Sequence, residues 1–329
     1  MNARRRLIVA IGLGAISAPL ASFGQQPPGR IMRIGRLSPI SASVDAPTLE
    51  AFRQRLRELG WVEGRNLSIE NRFAEGELDR LPVLAAELVR SNVDLIVGLS
   101  SQGAVAAKNA TSTIPIVITM TGDPVENGLV ASLAHPGGNV TGVTTLGLVL
   151  SEKRLELLKE AVPGLKRVAV LSDPAYPDTG PTMKRLEGAA QTLGMQLRIV
   201  GVRDPSGLEK AFAAIRSDRA GALMVLSAPM LFTHRKRVVE LAAQSRLPAM
   251  YAIQGFLDVG GLMFYGESLP DMARRAAVFA EKIFKGAKPG DLPVEQATKF
   301  ELIINLKAAK VLGIRIPQSL LARADGVIE

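Results

Sequence analysis

Val93-Asp-Leu-Ile-Val-Gly-Leu-Ser-Ser-Gln-Gly103, then an alanine-rich stretch, then Ile114-Pro-Ile-Val-Ile-Thr-Met-Thr-Gly-Asp-Pro124, sets the architecture of this chain. Residues 95–99 are an apolar run of strand length, and 114–118 are a second. Between them, Gly103 and the alanines Ala104, Ala106, Ala107 and Ala110 suit a helix packed tightly on a sheet. Strand, helix, strand in this order predicts a βαβ unit with parallel strands. Both strands end in small polar residues: Ser100 and Ser101 after the first, Thr119, Thr121 and Asp123 after the second. In open α/β sheets ligands bind outside the carboxyl ends of the strands, so a site is expected here.

Upstream, residues 31–37 read as a strand ending at Ser38-Pro39, and 45–59 as a helix with Leu49, Phe52, Leu56 and Leu59 at helical spacing, stopped by Gly60. Residues 67–72 alternate like a strand and 81–89 form the next helix. Downstream, the pattern predicts a helix near 125–133, a turn at His135-Pro-Gly-Gly-Asn139 and a strand at 140–144. Strands alternating with helices describe a doubly wound parallel sheet.

The pattern then restarts as a second α/β array. It predicts helix 152–161, strand 167–171 ending at Ser172-Asp173-Pro174, helix 182–193, strand 196–200 and helix 206–216. Strand 222–226 ends at Ser227-Ala-Pro229, followed by helix 231–244 and strand 249–253. Residues 262–265, helix 269–284, strand 300–304 and helix 306–312 must join sheets already formed, so the chain is expected to cross between lobes near 144–147, 252–255 and 289–293. The expected organisation is two doubly wound, Rossmann-like lobes joined by a multi-strand hinge. Residues 31–144 with about 255–289 make the N-terminal lobe, and 145–254 with about 290–329 the C-terminal lobe.

Residues 1–24 have a basic start, an apolar run over 7–18 and small residues before position 25, the pattern of a cleavable secretory signal peptide. The apolar run is short for a membrane span; a retained anchor is the alternative, and Arg4-Arg5 leaves Sec and twin-arginine export both open. Three of the +9 formal charges lie in Arg4, Arg5 and Arg6. The other Lys and Arg are scattered among acids, and aromatics make up only 4% of the chain, so no nucleic acid is expected as partner. With no Cys, disulfides, thiolate catalysis and a lipoprotein anchor are excluded. Two histidines without cysteine make a metal site an unpromising reading, and no metal or cofactor is expected.

Enzyme signals are weak. Gly98-Leu-Ser-Ser-Gln-Gly103 sits at a strand-to-helix turn, but a nucleophile elbow wants Gly two residues after Ser100, where Gln102 stands. There is no Walker A sequence and no Gly-rich fingerprint after a strand. Binding signals are better. Ser38, Ser100, Ser101, Asp123, Asp173 and Ser227 all follow expected strands, in both arrays. Each alone suits a helix cap; their common side suits a cleft. Ser101 and Thr121 are expected to hold an anionic ligand end beside a helix N-terminus, with Asp123 near any cationic end. Asp173 is a second candidate for an ammonium group, and Tyr176 and Tyr251 are candidates to cover an apolar or aromatic part. Catalytic residues are not expected.

Several stretches carry a resemblance: Ala51-Phe-Arg-Gln-Arg-Leu-Arg-Glu-Leu-Gly-Trp-Val-Glu-Gly-Arg-Asn66, Arg80-Leu-Pro-Val-Leu-Ala-Ala-Glu-Leu-Val89, Thr113-Ile-Pro-Ile-Val117 and Gly122-Asp-Pro-Val125. Ser132-Leu-Ala-His-Pro-Gly-Gly-Asn-Val-Thr-Gly-Val143, Lys153-Arg-Leu-Glu-Leu-Leu158, Phe300-Glu-Leu-Ile-Ile-Asn-Leu-Lys-Ala-Ala-Lys310 and Pro317-Gln-Ser-Leu-Leu-Ala-Arg323 extend it over nearly the whole chain after position 24. The chain resembles the ABC transporter substrate-binding protein family related to tryptophan and tyrosine uptake. The resemblance implies the type I periplasmic-binding fold, two lobes with three crossovers and a ligand in the cleft. It implies a small-molecule ligand, a membrane permease as partner and no catalysis; the signal peptide adds a periplasmic location, and a monomer is expected. An amino acid, aromatic acid or other small carboxylate is the expected ligand. A secreted α/β hydrolase is the alternative; a sugar-repressor-like regulator is disfavoured by a signal peptide standing where a helix-turn-helix would be.

Overall fold

Most short apolar runs bounded by Gly, Pro, Asn or Ser become strands, and most amphipathic runs become helices laid across them. The structure, a computed structural model, describes residues 30–329; the expected signal peptide lies outside the described residues. The first half runs β1 (Met32–Ser38), α1 (Ala42–Glu58), β2 (Leu67–Phe73), α2 (Leu81–Arg90), β3 (Leu95–Leu99), α3 (Ser100–Ala110), β4 (Ile116–Thr121) and β5 (Val140–Thr144). The second half begins with α4 (Gly147–Ala161), β6 (Arg167–Ser172), α5 (Thr179–Thr192), β7 (Gln196–Gly201), α6 (Leu208–Ser217) and β8 (Ala222–Val225). It continues with α7 (Pro229–Thr233), α8 (Arg235–Gln244), β9 (Ala249–Tyr251), β10 (Met263–Glu267) and α9 (Leu269–Phe284). It ends with β11 (Glu295–Gln296), β12 (Phe300–Asn305), α10 (Leu306–Leu312), α11 (Gln318–Leu321) and β13 (Gly326–Ile328).

Among the described residues the strands form two sheets, ordered β11-β5-β4-β3-β1-β2 and β13-β12-β10-β9-β8-β6-β7. All neighbours are parallel except β10 with β12. The fold is therefore two doubly wound lobes. Strand residues alternate between two buried faces, as a sheet covered on both sides requires. In β3, Leu95, Val97 and Leu99 face the cluster of α1 and α9, while Ile96 faces that of α2 and α3. α3 lies close because its seat is small: a Cβ on Gly98 would stand 2.9 Å from Ala104 Cα.

In both sheets the winding reverses beside the first strand. The reversal falls between β1 and β3 in one lobe and between β6 and β8 in the other. The loops leaving these strands part there and open a crevice.

Three sequence expectations are corrected. Residues 263–267 pair in parallel with β9, Met263 opposite Met250 and Phe264 opposite Tyr251, so β10 belongs to the second sheet and not to the N-terminal lobe. Only α9 returns to the first lobe, where it packs on α1, followed by β11, which pairs with β5. The crossings accordingly fall at 144–147, 267–269 and 296–300. Residues 125–133 form turns instead of a helix: Asp123 Oδ1 accepts from the Val125 and Glu126 amides at 2.9 and 3.1 Å, but Gly128 at φ +67° ends the turn. Helix 231–244 is broken into α7 and α8 at His234, whose φ and ψ of −98° and 23° are not helical.

Candidate functional site

A cavity of about 330 Å³ opens between the lobes at both crevices. That is within the size range of small-molecule sites. On the first lobe it is reached by Ser38, the last residue of β1, and Ser100, the first of α3. Both side chains are buried, and neither hydroxyl oxygen has a hydrogen-bond partner among the described residues. Buried polar atoms without partners are costly, and these two stand out among them because they also line the cavity. Ser100 also sits at φ +60°, in the left-handed region, a strain that functional sites retain. α3 begins here with no side-chain cap on its first amides.

The neighbouring wall of the first lobe is held by ion pairs turned away from bulk water. Arg36 and Asp45 are both almost fully buried and joined by two hydrogen bonds of 2.5 and 3.2 Å; Thr48 also donates to Asp45 Oδ1. At the hinge, Arg154 Nε donates to the Tyr265 carbonyl at 2.6 Å, with Glu267 4.0 Å away. Burial pulls the Arg154 pKa below its usual value, and the Glu267 charge partly restores it. Glu267 Oε1 in turn accepts from the Leu146 amide at 2.6 Å, tying one hinge segment to another.

The second lobe supplies Tyr176, Asp178, Ser227, Phe232 and Arg235. The Arg235 guanidinium lies 4.9 Å over the Phe232 ring, and its Nη1 donates to the Phe232 carbonyl at 3.3 Å. Its Nε has no partner among the described residues. Tyr176 is buried, and this, with the nearby Asp178 charge, raises its pKa well above the usual value and keeps the phenol protonated. Asp178 crosses the seam: Oδ2 accepts from Ser101 Oγ at 2.7 Å and Oδ1 from Asn127 Nδ2 at 2.9 Å. Gly122 N–H donates to Ser101 Oγ at 3.1 Å.

Of the residues singled out in the sequence, Ser38, Ser100, Tyr176 and Ser227 line the cavity. The others do not. The Ser101 proton is given to Asp178, so its hydroxyl is not free to hold an anion as expected. Thr121 is fully buried and donates to the Thr119 carbonyl at 3.3 Å. Asp123 caps its own turn, as described above. Thr121 ends β4 and Asp123 follows it, while Met120 and Gly122 beside them do line the cavity. Tyr251 stacks on Phe256 at 4.6 Å inside the second lobe's core. Asp178, Phe232, Arg235 and the Arg154–Glu267 pair were missed. The available signal was the loop Asp173-Pro-Ala-Tyr-Pro-Asp178, long enough to reach beyond its strand end.

Asp173 is buried in that loop, its Oδ1 accepting from the Ala175 amide at 2.9 Å. Burial raises its pKa, offset in part by that amide and by the Arg203 charge. A raised native pKa means the native state binds more protons between the unfolded and native values, so stability falls as pH rises through that window. Asp173→Asn keeps the Oδ1 acceptor and removes the buried charge. It is expected to melt above wild type at pH 7 and to lose that advantage below about pH 4. Equal melting temperatures at pH 7 would contradict this.

Neither His135 nor His234 lines the cavity, and among the described residues no cluster of His, Asp and Glu suits a metal ion. No helix among them is long and apolar enough to cross a membrane.

Two doubly wound lobes around a cavity at both reversals define a two-lobed solute-binding protein of the type I periplasmic-binding fold. The chain belongs to the ABC transporter substrate binding protein family, which it matches over residues 37–328. It is 29% identical over 283 residues to a tyrosine-binding protein of Clostridioides difficile (strain R20291), covering 84% of this chain and 80% of that protein. A conserved domain protein from Vibrio cholerae superposes with a TM-score of 0.86 at 28% identity, covering 91% of this chain and 100% of the other. A domain from Streptococcus pneumoniae in complex with L-Trp superposes at 0.85 with 26% identity, covering 90% and 99%. The resemblance read from the motifs is thus borne out, and none of these relatives supports the hydrolase alternative.

Proposed function

We propose that the inter-lobe cavity binds a small organic acid with an apolar or aromatic body, an amino acid among the candidates, and presents it to a membrane permease without chemical change. The observation that carries the reading is the pair of buried hydroxyls of Ser38 and Ser100, without partners among the described residues, beside the uncapped start of α3. Hydroxyl and helix N-terminal N–H donors suit a carboxylate. Phe232 and the apolar wall suit the body. The relatives that bind tyrosine and L-Trp favour the aromatic end of this range. With no histidine at the cavity, Ser100 has no imidazole base to activate it, which favours binding over hydrolysis. The basic-then-apolar start of the sequence favours export to the periplasm with residues 1–24 removed.

The test begins with protein from a periplasmic extract, its N-terminus sequenced. Calorimetric titration with L-tryptophan, L-tyrosine, L-phenylalanine and their amine-free acids should find a ligand. Ser38→Ala and Ser100→Ala should each weaken it by about tenfold to a hundredfold, the loss of one hydrogen bond to a charged group at roughly 1.5–3 kcal/mol. Unchanged affinity in both variants would move the anionic end elsewhere.

A further inference from the structure

We propose that the buried pair Arg154 and Glu267 positions the hinge: it ties the first two crossings together and holds the lobes in the closed arrangement seen here. The inference goes beyond the proposed function, because it holds whichever solute the cavity takes.

Hinge closure concentrates the backbone change in a few residues, and parallel crossings must turn in step. Here the crossings at 144–147, 267–269 and 296–300 are linked in a row. Glu267 Oε1 accepts from the Leu146 amide at 2.6 Å, joining the second crossing to the first. The Ala297 amide donates to the Thr144 carbonyl at 3.1 Å, joining the third to the first. The latter link is backbone to backbone; the former depends on a side chain. Arg154, in the first helix of the second lobe, fixes the setting of that side chain. Its Nε donates to the Tyr265 carbonyl at 2.6 Å, Nη1 donates to the Gly147 carbonyl at 3.4 Å, and Nη2 lies 4.0 Å from Glu267 Oε2. One guanidinium thus touches both crossings.

The seat is built for this contact. A Cβ on Gly266 would stand 3.1 Å from Arg154 Nη2 and 3.2 Å from the Ala252 carbonyl oxygen, so a larger residue would crowd the guanidinium. The side chains of Arg154 and Glu267 are only 4% and 6% exposed. An exposed pair would do little, but buried charges hold their partners firmly because stranding either one is costly. Leu146 stands just before α4, which belongs to the second lobe, and Ser268 just before α9, which packs on the first. Rotation of the backbone at either residue swings one lobe against the other. The bond from Leu146 to Glu267 persists only while these segments keep their mutual orientation. It is made here in the arrangement where Ser101 of the first lobe meets Asp178 of the second, with the lobes closed on the cavity. Removing the pair should therefore release the lobes toward the open form.

The experiment reads the lobe arrangement by single-molecule energy transfer. The chain has no Cys, so Val83→Cys on α2 and Ile199→Cys on β7, both exposed positions, give a unique pair of dye sites. α2 packs beside β2, and β2 and β7 are the sheet edges away from the hinge strands β5 and β10, where a lobe rotation moves the dyes most. The labelled protein is unfolded and refolded to strip any bound solute, so the result does not depend on which solute binds. Glu267→Ala should raise the ratio of open to closed molecules by about tenfold, the effect of losing one hydrogen bond to a charged group. Arg154→Met combined with Glu267→Leu removes the link without stranding a charge. It should shift the ratio the same way, and it serves if the single variant fails to fold. A merely structural pair would lower the melting temperature of Glu267→Ala and leave the lobe populations unchanged in both variants, which overturns the proposal. A shift toward the closed form, or a solute-free wild type found only open, overturns it as well.

Discussion

Asp45→Ala is expected to destabilise the protein by about 3–5 kcal/mol, the usual effect of removing one partner from a buried ion pair. The side chains of Arg36 and Asp45 are 2% and 1% exposed, so water cannot replace the lost carboxylate. The guanidinium would keep Phe52, whose ring centroid is 5.9 Å away, but no counter-charge. Arg36 Nε already lacks a partner among the described residues, and Thr48 would lose its side-chain acceptor while keeping the Asp45 carbonyl at 2.8 Å. The energy at issue is the desolvation of a stranded charge, not the attraction of the pair. Exchanging both residues for apolar ones of similar size, Arg36→Met with Asp45→Leu, should therefore cost much less than Asp45→Ala alone. Urea denaturation of the two variants separates the effects through their midpoints at unchanged slope. A single variant that loses under 1 kcal/mol would show that solvent reaches Arg36.

Gly142→Ala is the second large effect. Gly142 lies in β5 at φ +137°, and a Cβ there would stand 2.2 Å from the Ile118 carbonyl oxygen and 2.6 Å from its nitrogen. Both obstacles are backbone atoms of the neighbouring strand, so no side-chain rotation relieves the clash. Backbone strain and overpacking together should cost about 3 kcal/mol or more. The site has a stake in this position. The register of β4 against β5 shifts between Ile118 and Thr121, and within that irregularity Met120 adopts φ +56° and lines the cavity. Irregular strand pairing of this kind re-aims side chains beside binding sites. Gly142→Ala should therefore lower the melting temperature and also weaken ligand binding, even in the fraction that remains folded. A variant that melts and binds as wild type does would show that the strands part there at little cost.

The class of fold was legible in the chain because it depends on local chemistry. The βαβ unit follows from apolar runs of five residues, the small residues of α3 and the polar residues that end each strand. Gly98 and Ala104 touch because a close-packed helix admits nothing larger. The same locality explains why residues 125–133 misled: Asp123 caps a turn as it would cap a helix, and the difference lies in a glycine five residues later.

The site was only half legible, for a physical reason. By itself the sequence determined which residues stand at strand ends: Ser38, Ser100, Ser101, Thr121, Asp123, Asp173 and Ser227 all qualify. It contained no local signal for which ends lie at the reversal of strand order, because that order is set by hydrogen bonding between segments far apart in the chain. Pairing of β1 with β3 brings Ser38 and Ser100 to the crevice; at the end of β4, Met120 and Gly122 reach the cavity while Thr121 is buried against the Thr119 carbonyl and Asp123 caps its own turn. Packing between lobes is more distant still. Only the tertiary structure places Asp178 against Ser101 and Asn127, 77 and 51 residues earlier in the chain, and seats Glu267 on the Leu146 amide 121 residues before it. Local chemistry chose the helices and strands; long-range pairing and packing chose which of their residues face the cavity.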